Sequence, residues 1–103
     1  MKNTTLAHFS QRHETFLIVD AGPEGVGAIL AQQQPDQSLR PVHFASKTLT
    51  KTEQSYSQIE KEALAVLWGC KRFHSYLYGT SFTVLTDHKP LEILYTHKGK
   101  PSA

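Results

Sequence analysis

The hydrophobic residues in the first half of this chain fall into three short runs separated by turns. The runs are residues 15–20 (TFLIVD), 28–33 (AILAQQ) and 40–46 (RPVHFAS), and the segments between them are rich in Gly, Pro and polar residues. Apolar runs of this length bounded by turn residues are typical of strands, and short connections join antiparallel neighbours. The first half therefore predicts a three-stranded antiparallel meander.

The middle of the chain has helical spacing instead. Apolar residues recur at intervals of three and four, at Ile59, Ala63, Val66, Cys70, Phe73 and Leu77. This spacing predicts one apolar stripe that faces the core. Thr50 and Ser57 each begin a capping-box sequence, so we expect a helical turn at 51–55 and a long helix at 58–77. Trp68 lies on the side of the helix opposite the stripe. The pattern does not decide whether Trp68 is exposed to solvent or packs against a partner domain.

The last third predicts one more strand and a short helix. Residues 81–87 (SFTVLTD) form an apolar run that ends in Asp87. Pro90 suits the first turn of a helix in which Leu91 and Leu94 face inward. The order βββ-α-β-α indicates an α/β fold with a mixed sheet. A long helix between two strands makes a right-handed crossover, so the fourth strand should pair parallel with the first.

Composition limits the classes of protein that the chain can belong to. It has 103 residues, of which 39% are hydrophobic and 19% charged, with a net charge of +2, which suits one small folded domain. A single cysteine, Cys70, excludes an internal disulfide and a cysteine-based zinc site, and the histidines lack zinc-ligand spacing. We find no signal peptide and no apolar stretch near the roughly 18 residues of a membrane span. An intracellular location is expected, and the compartment stays open.

Two aspartates end strands at places where an α/β sheet holds its ligands. Asp20 and Asp87 each follow an apolar run, and the carboxyl ends of parallel neighbours form one crevice. Magnesium prefers oxygen ligands, and paired metal ions can drive phosphodiester hydrolysis. The sequence therefore predicts a magnesium site that contains both aspartates. His88 and Lys89 directly follow Asp87, and a phosphate contact and a solvated loop are equally good interpretations of them.

A helical glutamate is the expected third ligand. Glu60 and Glu62 both lie near the start of the predicted helix, on opposite sides of its stripe. If Ser57 is the N-cap, Glu60 occupies the third helical position and its side chain returns to the cap. Glu62 is then available to face the strand ends. We favour Glu62, with Glu60 as the alternative.

The chain resembles the RNase H domain of reverse transcriptase in gypsy-class LTR retrotransposons. The similar segments are 19–32 (VDAGPEGVGAILAQ), 40–68 (RPVHFASKTLTKTEQSYSQIEKEALAVLW), 73–79 (FHSYLYG) and 82–94 (FTVLTDHKPLEIL). The resemblance implies an RNase H-like fold and a polymerase domain in the same parent polyprotein. It also implies a nuclease that uses two Mg²⁺ or Mn²⁺ ions to cut the RNA strand of RNA–DNA hybrids during reverse transcription. The acidic positions of the family fall on Asp20, Glu62 and Asp87.

The resemblance also implies where the chain is incomplete. The family fold continues into a fifth strand and a last helix with a fourth carboxylate, and we expect this sequence to stop before both. The expected parts are a leader or linker at 1–14, the domain at 15–98 and a tail at 99–103. We therefore expect the isolated chain to cut weakly or not at all. The alternative is a non-catalytic remnant or interaction module that keeps the fold.

Overall fold

The structure, a computed structural model, describes residues 9–10, 12–86 and 90–94, the last range by its backbone. Strands and helices follow one another along the chain as β1 Thr15–Ala21, β2 Gly25–Gln33, β3 Leu39–Thr48, α1 Lys51–Gln54, α2 Gln58–Arg72, α3 His74–Leu77, β4 Ser81–Leu85 and β5 Pro90–Leu94. Among these helices, none is long and apolar enough to cross a membrane.

The sheet has five strands in the order β3-β2-β1-β4-β5. β1 pairs antiparallel with β2 and parallel with β4, and β2 pairs antiparallel with β3. The register places Ile18 of β1 beside Ile29 of β2 and Leu85 of β4. The predicted meander, the parallel crossover and the α/β mixed sheet are confirmed.

Helix α2 packs across β1 and β2, and Gly69 sets how close it comes. A Cβ atom at Gly69 would lie 3.3 Å from Cδ2 of Leu17 and 3.4 Å from Cβ of Ala28. Because glycine has no Cβ, the helix axis can approach the sheet at this point. The core between helix and sheet consists of Leu17, Val19, Val26, Ala28, Leu30, Val42, Leu49, Ala65, Phe73, Leu77, Phe82 and Val84.

The predicted apolar stripe is wrong for the first half of the helix. Ile59 is 79% exposed and Ala63 is also exposed, whereas the buried positions of α2 are Lys61, Ala65 and Gly69. Hydrophobic patterning cannot assign a lysine and a glycine to a core face, so it predicts the wrong buried side for the first half of the helix, whereas Val66 and Cys70 do pack against the core.

The long helix predicted at 58–77 is also divided. The backbone leaves the α-helical conformation at Phe73, with φ −107° and ψ 27°, before the short helix α3. Phe73 and Leu77 are nevertheless buried as predicted, and Trp68 is partly buried against the core. The helical turn at 51–55 is confirmed by α1, and Gly79 follows α3 with a φ of 75°.

The helix predicted from Pro90 is wrong, because residues 90–94 form β5. This strand pairs antiparallel with β4, from Leu85 beside Pro90 to Ser81 beside Leu94. β5 is the outermost strand of the described sheet, where proline is tolerated because a backbone donor is not needed on the open side. The expectation that the chain stops before a fifth strand is therefore wrong as well. The fold class does not change, since β5 extends the same mixed sheet.

Candidate active site

Asp20 stands at the carboxyl end of β1, as the sequence predicts. Its side chain is exposed, and its backbone pairs with Gly27 of β2. The preceding strand residues Leu17 and Val19 are buried, so the apolar run holds the strand while its last polar residue reaches solvent. An exposed carboxylate in this position is accessible to a cation or to a phosphate-bearing substrate through that cation.

Two hydrogen bonds hold the start of α2 against this edge of the sheet. The side-chain amide of Gln58 donates to the Ala21 carbonyl at 3.0 Å, and Lys61 Nζ donates to the Pro23 carbonyl at 3.2 Å. Both carbonyls lie in the segment directly after Asp20. The first turn of α2 is therefore fixed beside the strand end that carries this carboxylate.

The two glutamates near the start of α2 have different surroundings. Ser57 Oγ accepts from the Glu60 backbone N–H at 3.2 Å, and the Ser57 N–H donates to Glu60 Oε1 at 2.9 Å. The predicted capping box is thus confirmed, and it occupies the Glu60 carboxylate. Glu62 is half-buried next to Lys61. The choice of Glu62 as a metal ligand stays a prediction.

The sequence pattern does not indicate that Lys61 is buried. Its side chain is 8% exposed, which is rare for lysine unless its ammonium has a partner. The Pro23 carbonyl supplies that partner. Neither the motif nor the apolar pattern marks this residue, because an isolated lysine within a helix ordinarily indicates a solvated face.

Asp87, His88 and Lys89 lie outside the described residues. The paired part of β1 and β4 ends at Ile18 beside Leu85, and Asp20 and Asp87 each come two positions later in the sequence. Within the residues that the structure describes, no group of three His, Cys, Asp or Glu side chains could hold a metal ion. The two described members, Asp20 and Glu62, provide oxygen donors of the kind that magnesium prefers.

An antiparallel meander, a parallel fourth strand and a crossover helix packed on β1 and β2 are the architecture of an RNase H-like domain. Residues 10–103 match the family described as "RNase H-like domain found in reverse transcriptase", and the chain belongs to it.

Relatives of this chain are retrotransposon polyproteins. It is 39% identical to the retrovirus-related Pol polyprotein from transposon 412 of Drosophila melanogaster, over 91% of the chain and 8% of that protein. It is 38% identical to the Pol polyprotein from transposon gypsy of the same fly, over 73% of the chain and 7% of that protein. The transposon Tf2-3 polyprotein of Schizosaccharomyces pombe is 35% identical over 93% of the chain and 7% of its own length. The predicted resemblance to LTR retrotransposon reverse transcriptase is confirmed, and the chain spans less than a tenth of these relatives.

A solved structure supports the fold. The foamy viral protease-reverse transcriptase in complex with dsDNA superimposes with a TM-score of 0.64 and 15% identity, over 79% of this chain and 17% of that one. At this identity the similarity concerns the fold alone, and it confirms the RNase H-like architecture.

Proposed function

We propose that this domain, within its parent reverse transcriptase polyprotein, cuts the RNA strand of RNA–DNA hybrids with the help of Mg²⁺ or Mn²⁺. Asp20, Glu62 and Asp87 hold the metal, and the polymerase domain of the polyprotein delivers the hybrid. The observation that carries the proposal is the pair of hydrogen bonds from Gln58 and Lys61 that fix the start of α2 beside the end of β1. This contact brings the segments of Asp20 and Glu62 to one edge of the sheet.

The sequence distances support Asp87 as the third ligand. Strands β1 and β4 run parallel and pair up to Ile18 and Leu85, and parallel strands advance by about 3.3 Å per residue. Asp20 and Asp87 follow this pair at the same sequence distance. Because the two aspartates lie at the same sequence distance beyond paired residues of neighbouring parallel strands, we favour one shared site at the carboxyl edge of the sheet.

The contribution of this chain to the reaction is to hold the carboxylates that bind the metal ions. Paired divalent ions, when bound, activate the attacking water and stabilise the leaving oxygen in phosphodiester cleavage. Three carboxylates on separate elements repel one another, and a bound cation relieves that repulsion. His88 and Lys89 come directly after Asp87, and we propose that they contact the phosphate next to the cut. Glu60 takes no part, because its carboxylate caps α2.

Metal-linked stability tests the site without relying on cleavage. At a metal concentration ten times the Kd, one bound ion should raise the free energy of unfolding by about 1.4 kcal/mol. We expect Mn²⁺ to raise the melting temperature of the wild type and to have little effect on Asp20→Asn, Glu62→Gln and Asp87→Asn. Glu60→Gln is the matched control, because glutamine also completes a capping box. It should keep the full response to metal.

Cleavage of a labelled RNA–DNA hybrid then tests the reaction. Any cutting should be confined to the RNA strand, stop with EDTA, and disappear in the three carboxylate variants but not in Glu60→Gln. A wild type that shows no metal-linked stabilisation would contradict the proposal and favour the remnant or interaction module. An equal metal response in Glu62→Gln and wild type would remove Glu62 from the site.

A further inference from the structure

The turn between β1 and β2 directly follows Asp20, and helix α2 holds this turn from one side. Lys61 Nζ donates to the Pro23 carbonyl at 3.2 Å, and the Gln58 side-chain amide donates to the Ala21 carbonyl at 3.0 Å. The two donors are three positions apart on α2, so they are neighbours on the helix surface. The first turn of the helix therefore binds alternate carbonyls of the same turn.

Further hydrogen bonds close the turn and connect it to the core. The backbone N–H of Gly22 donates to the Gly25 carbonyl at 2.8 Å, and the backbone N–H of Leu49 donates to the Glu24 carbonyl at 2.9 Å. Leu49 follows β3 directly and is 2% exposed. The turn is thus attached both to α2 and to the end of β3, which fixes the path of the chain after Asp20.

Lys61 makes the stronger of the two contacts from α2. Lys61 is 8% exposed, whereas Gln58 is an exposed residue. A hydrogen bond shielded from water is electrostatically stronger, and a charged donor strengthens it further. Within the described part of the chain, the one ion pair joins Lys47 to Glu53. The Lys61 ammonium therefore holds a neutral carbonyl and is not committed to a carboxylate.

The two elements that this contact joins carry two of the proposed metal ligands. Asp20 lies three positions before Pro23, and Glu62 directly follows Lys61. Magnesium requires nearly octahedral geometry with oxygen ligands at about 2.0–2.1 Å, whereas carboxylates that approach one another without a cation repel. A contact between the turn and the helix opposes this repulsion. Groups outside the ligand set that orient the ligands commonly contribute about 10–100-fold to metal affinity.

We propose that Lys61 is a positioning residue of the metal site. Through the Pro23 carbonyl it fixes the turn that follows Asp20 to the helix that carries Glu62, and the affinity for divalent metal depends on this contact. This role rests on the proposed function, since it concerns the same carboxylates. Lys61 is itself positive and repels a cation. Its removal therefore weakens metal binding only if its hydrogen bond matters more than its charge.

The affinity of the chain for Mn²⁺, measured from the electron paramagnetic resonance signal of the free ion, tests the proposal. Lys61→Met keeps an unbranched apolar side chain and removes the donor, and we expect it to raise the Kd about tenfold. Lys61→Arg keeps a charged donor and should stay within about twofold of the wild type. Urea unfolding without metal identifies conditions in which every variant is folded.

Two further variants separate the contact from the charge. Gln58→Leu removes the second, exposed contact to the turn without a change of charge, and it should raise the Kd about threefold. Lys71→Met is the matched control, because Lys71 is an exposed lysine of the same helix, about 15 Å further along its axis. It makes the same chemical change without the contact and should leave the Kd unchanged.

Hydrogen exchange of the Gly22 amide in the metal-free chain distinguishes a displaced turn from a general loss of stability. This amide closes the turn, so it should exchange faster in Lys61→Met but not in Lys71→Met, while the amide of Leu30 in the core keeps its rate.

Each other result decides against the proposal. Unchanged or tighter Mn²⁺ binding in Lys61→Met would overturn the role of Lys61 and leave the proposed function intact, whereas a wild type that binds no Mn²⁺ would overturn both. An equal loss of affinity in Lys71→Met, or a loss in Lys61→Met with unchanged exchange at Gly22, would show that Lys61 does not act through the turn.

Discussion

Gln32 shows how a single polar side chain can serve as a structural anchor. It is fully buried at the end of β2, and its Nε2 donates to Thr15 Oγ1 at 3.0 Å as well as to the Ser10 carbonyl. The sequence places it in a strand but gives no sign that an amide lies in the core. Its partners are 17 and 22 residues away in the chain, which is why local patterning cannot identify it.

Replacing Gln32 with leucine should therefore be costly. Gln32→Leu leaves the backbone groups of Ser10 and the Thr15 hydroxyl without their partner, and unsatisfied buried groups cost about 1–3 kcal/mol. We expect the free energy of unfolding in urea to fall by about 2 kcal/mol. Gln33→Leu is the matched control, because within the described part of the chain its side-chain amide bonds to the exposed Gln37 alone, and it should change stability by less than about 0.5 kcal/mol. Equal losses in both variants would contradict the anchoring role.

Among the elements, those with local signals were the predictable ones. Strands β1 to β3 follow apolar runs between turns, and both capping boxes appear with the predicted residues. The errors lie where tertiary contacts decide. The core face of α2 depends on the close approach at Gly69 and on the hydrogen bond of Lys61, and β5 depends on pairing with β4. No pattern within one segment encodes these contacts.

The same limit applies to the candidate site. Asp20 could be placed at a strand end from the run that precedes it, and Glu60 could be set aside through its cap. The contact that links α2 to the end of β1 could not be foreseen, since Gln58 reaches a carbonyl 37 residues away. Asp87 lies outside the described residues, so the complete set of three carboxylates stays a prediction.

The Glu53 carboxylate in helix α1 makes the stability of the fold depend on pH in the acid range. The Thr50 backbone N–H donates to this carboxylate at 2.8 Å, and Lys47 lies 3.5 Å away. The bond from Thr50, more than the charge of Lys47, lowers the pKa of Glu53 below its ordinary value of 4.5. A carboxyl group whose pKa is lower in the folded state stabilises the fold above its unfolded pKa, and this contribution is lost as pH falls through the folded pKa.

We therefore expect Glu53→Gln to reduce the loss of stability between neutral pH and about pH 3, where carboxylates become protonated. Unfolding by urea at a series of pH values measures this slope. Asp36→Asn is a useful comparison, because the Ser38 side-chain and backbone donors lower the pKa of Asp36 in the β2–β3 turn. Each single variant should remove its own contribution to the pH dependence of the free energy of unfolding. The double variant should remove both contributions. An unchanged slope in Glu53→Gln would contradict the assignment.

At the scale of the whole molecule, helix α2 packs on one face of the described sheet, and both layers leave apolar side chains in solvent. Phe44 on β3 is 51% exposed, and Ile59 and Leu67 on the outer side of α2 are 79% and 57% exposed. The apolar pattern of α2 consequently suits either of two rotations about the helix axis. The structure selects the one that buries Lys61, Ala65 and Gly69.

Two matched valine substitutions distinguish these rotations. In Gly69→Val the new side chain meets Leu17 and Ala28, whose atoms lie 3.3–3.4 Å from a Cβ at this position, and overpacking of a filled core costs about 1–3 kcal/mol. In Ala63→Val the new side chain lies at an exposed site and meets no core residue. The lower helix propensity of valine should then reduce the free energy of unfolding by less than about 0.7 kcal/mol. We expect a clear fall in the urea midpoint for Gly69→Val and a small one for Ala63→Val.

If Ala63→Val were the more damaging substitution, the helix face predicted from Ile59 and Ala63 would be the one that contacts the sheet. The start of α2 would then turn away from the end of β1, and the proposed grouping of Glu62 with Asp20 would fail.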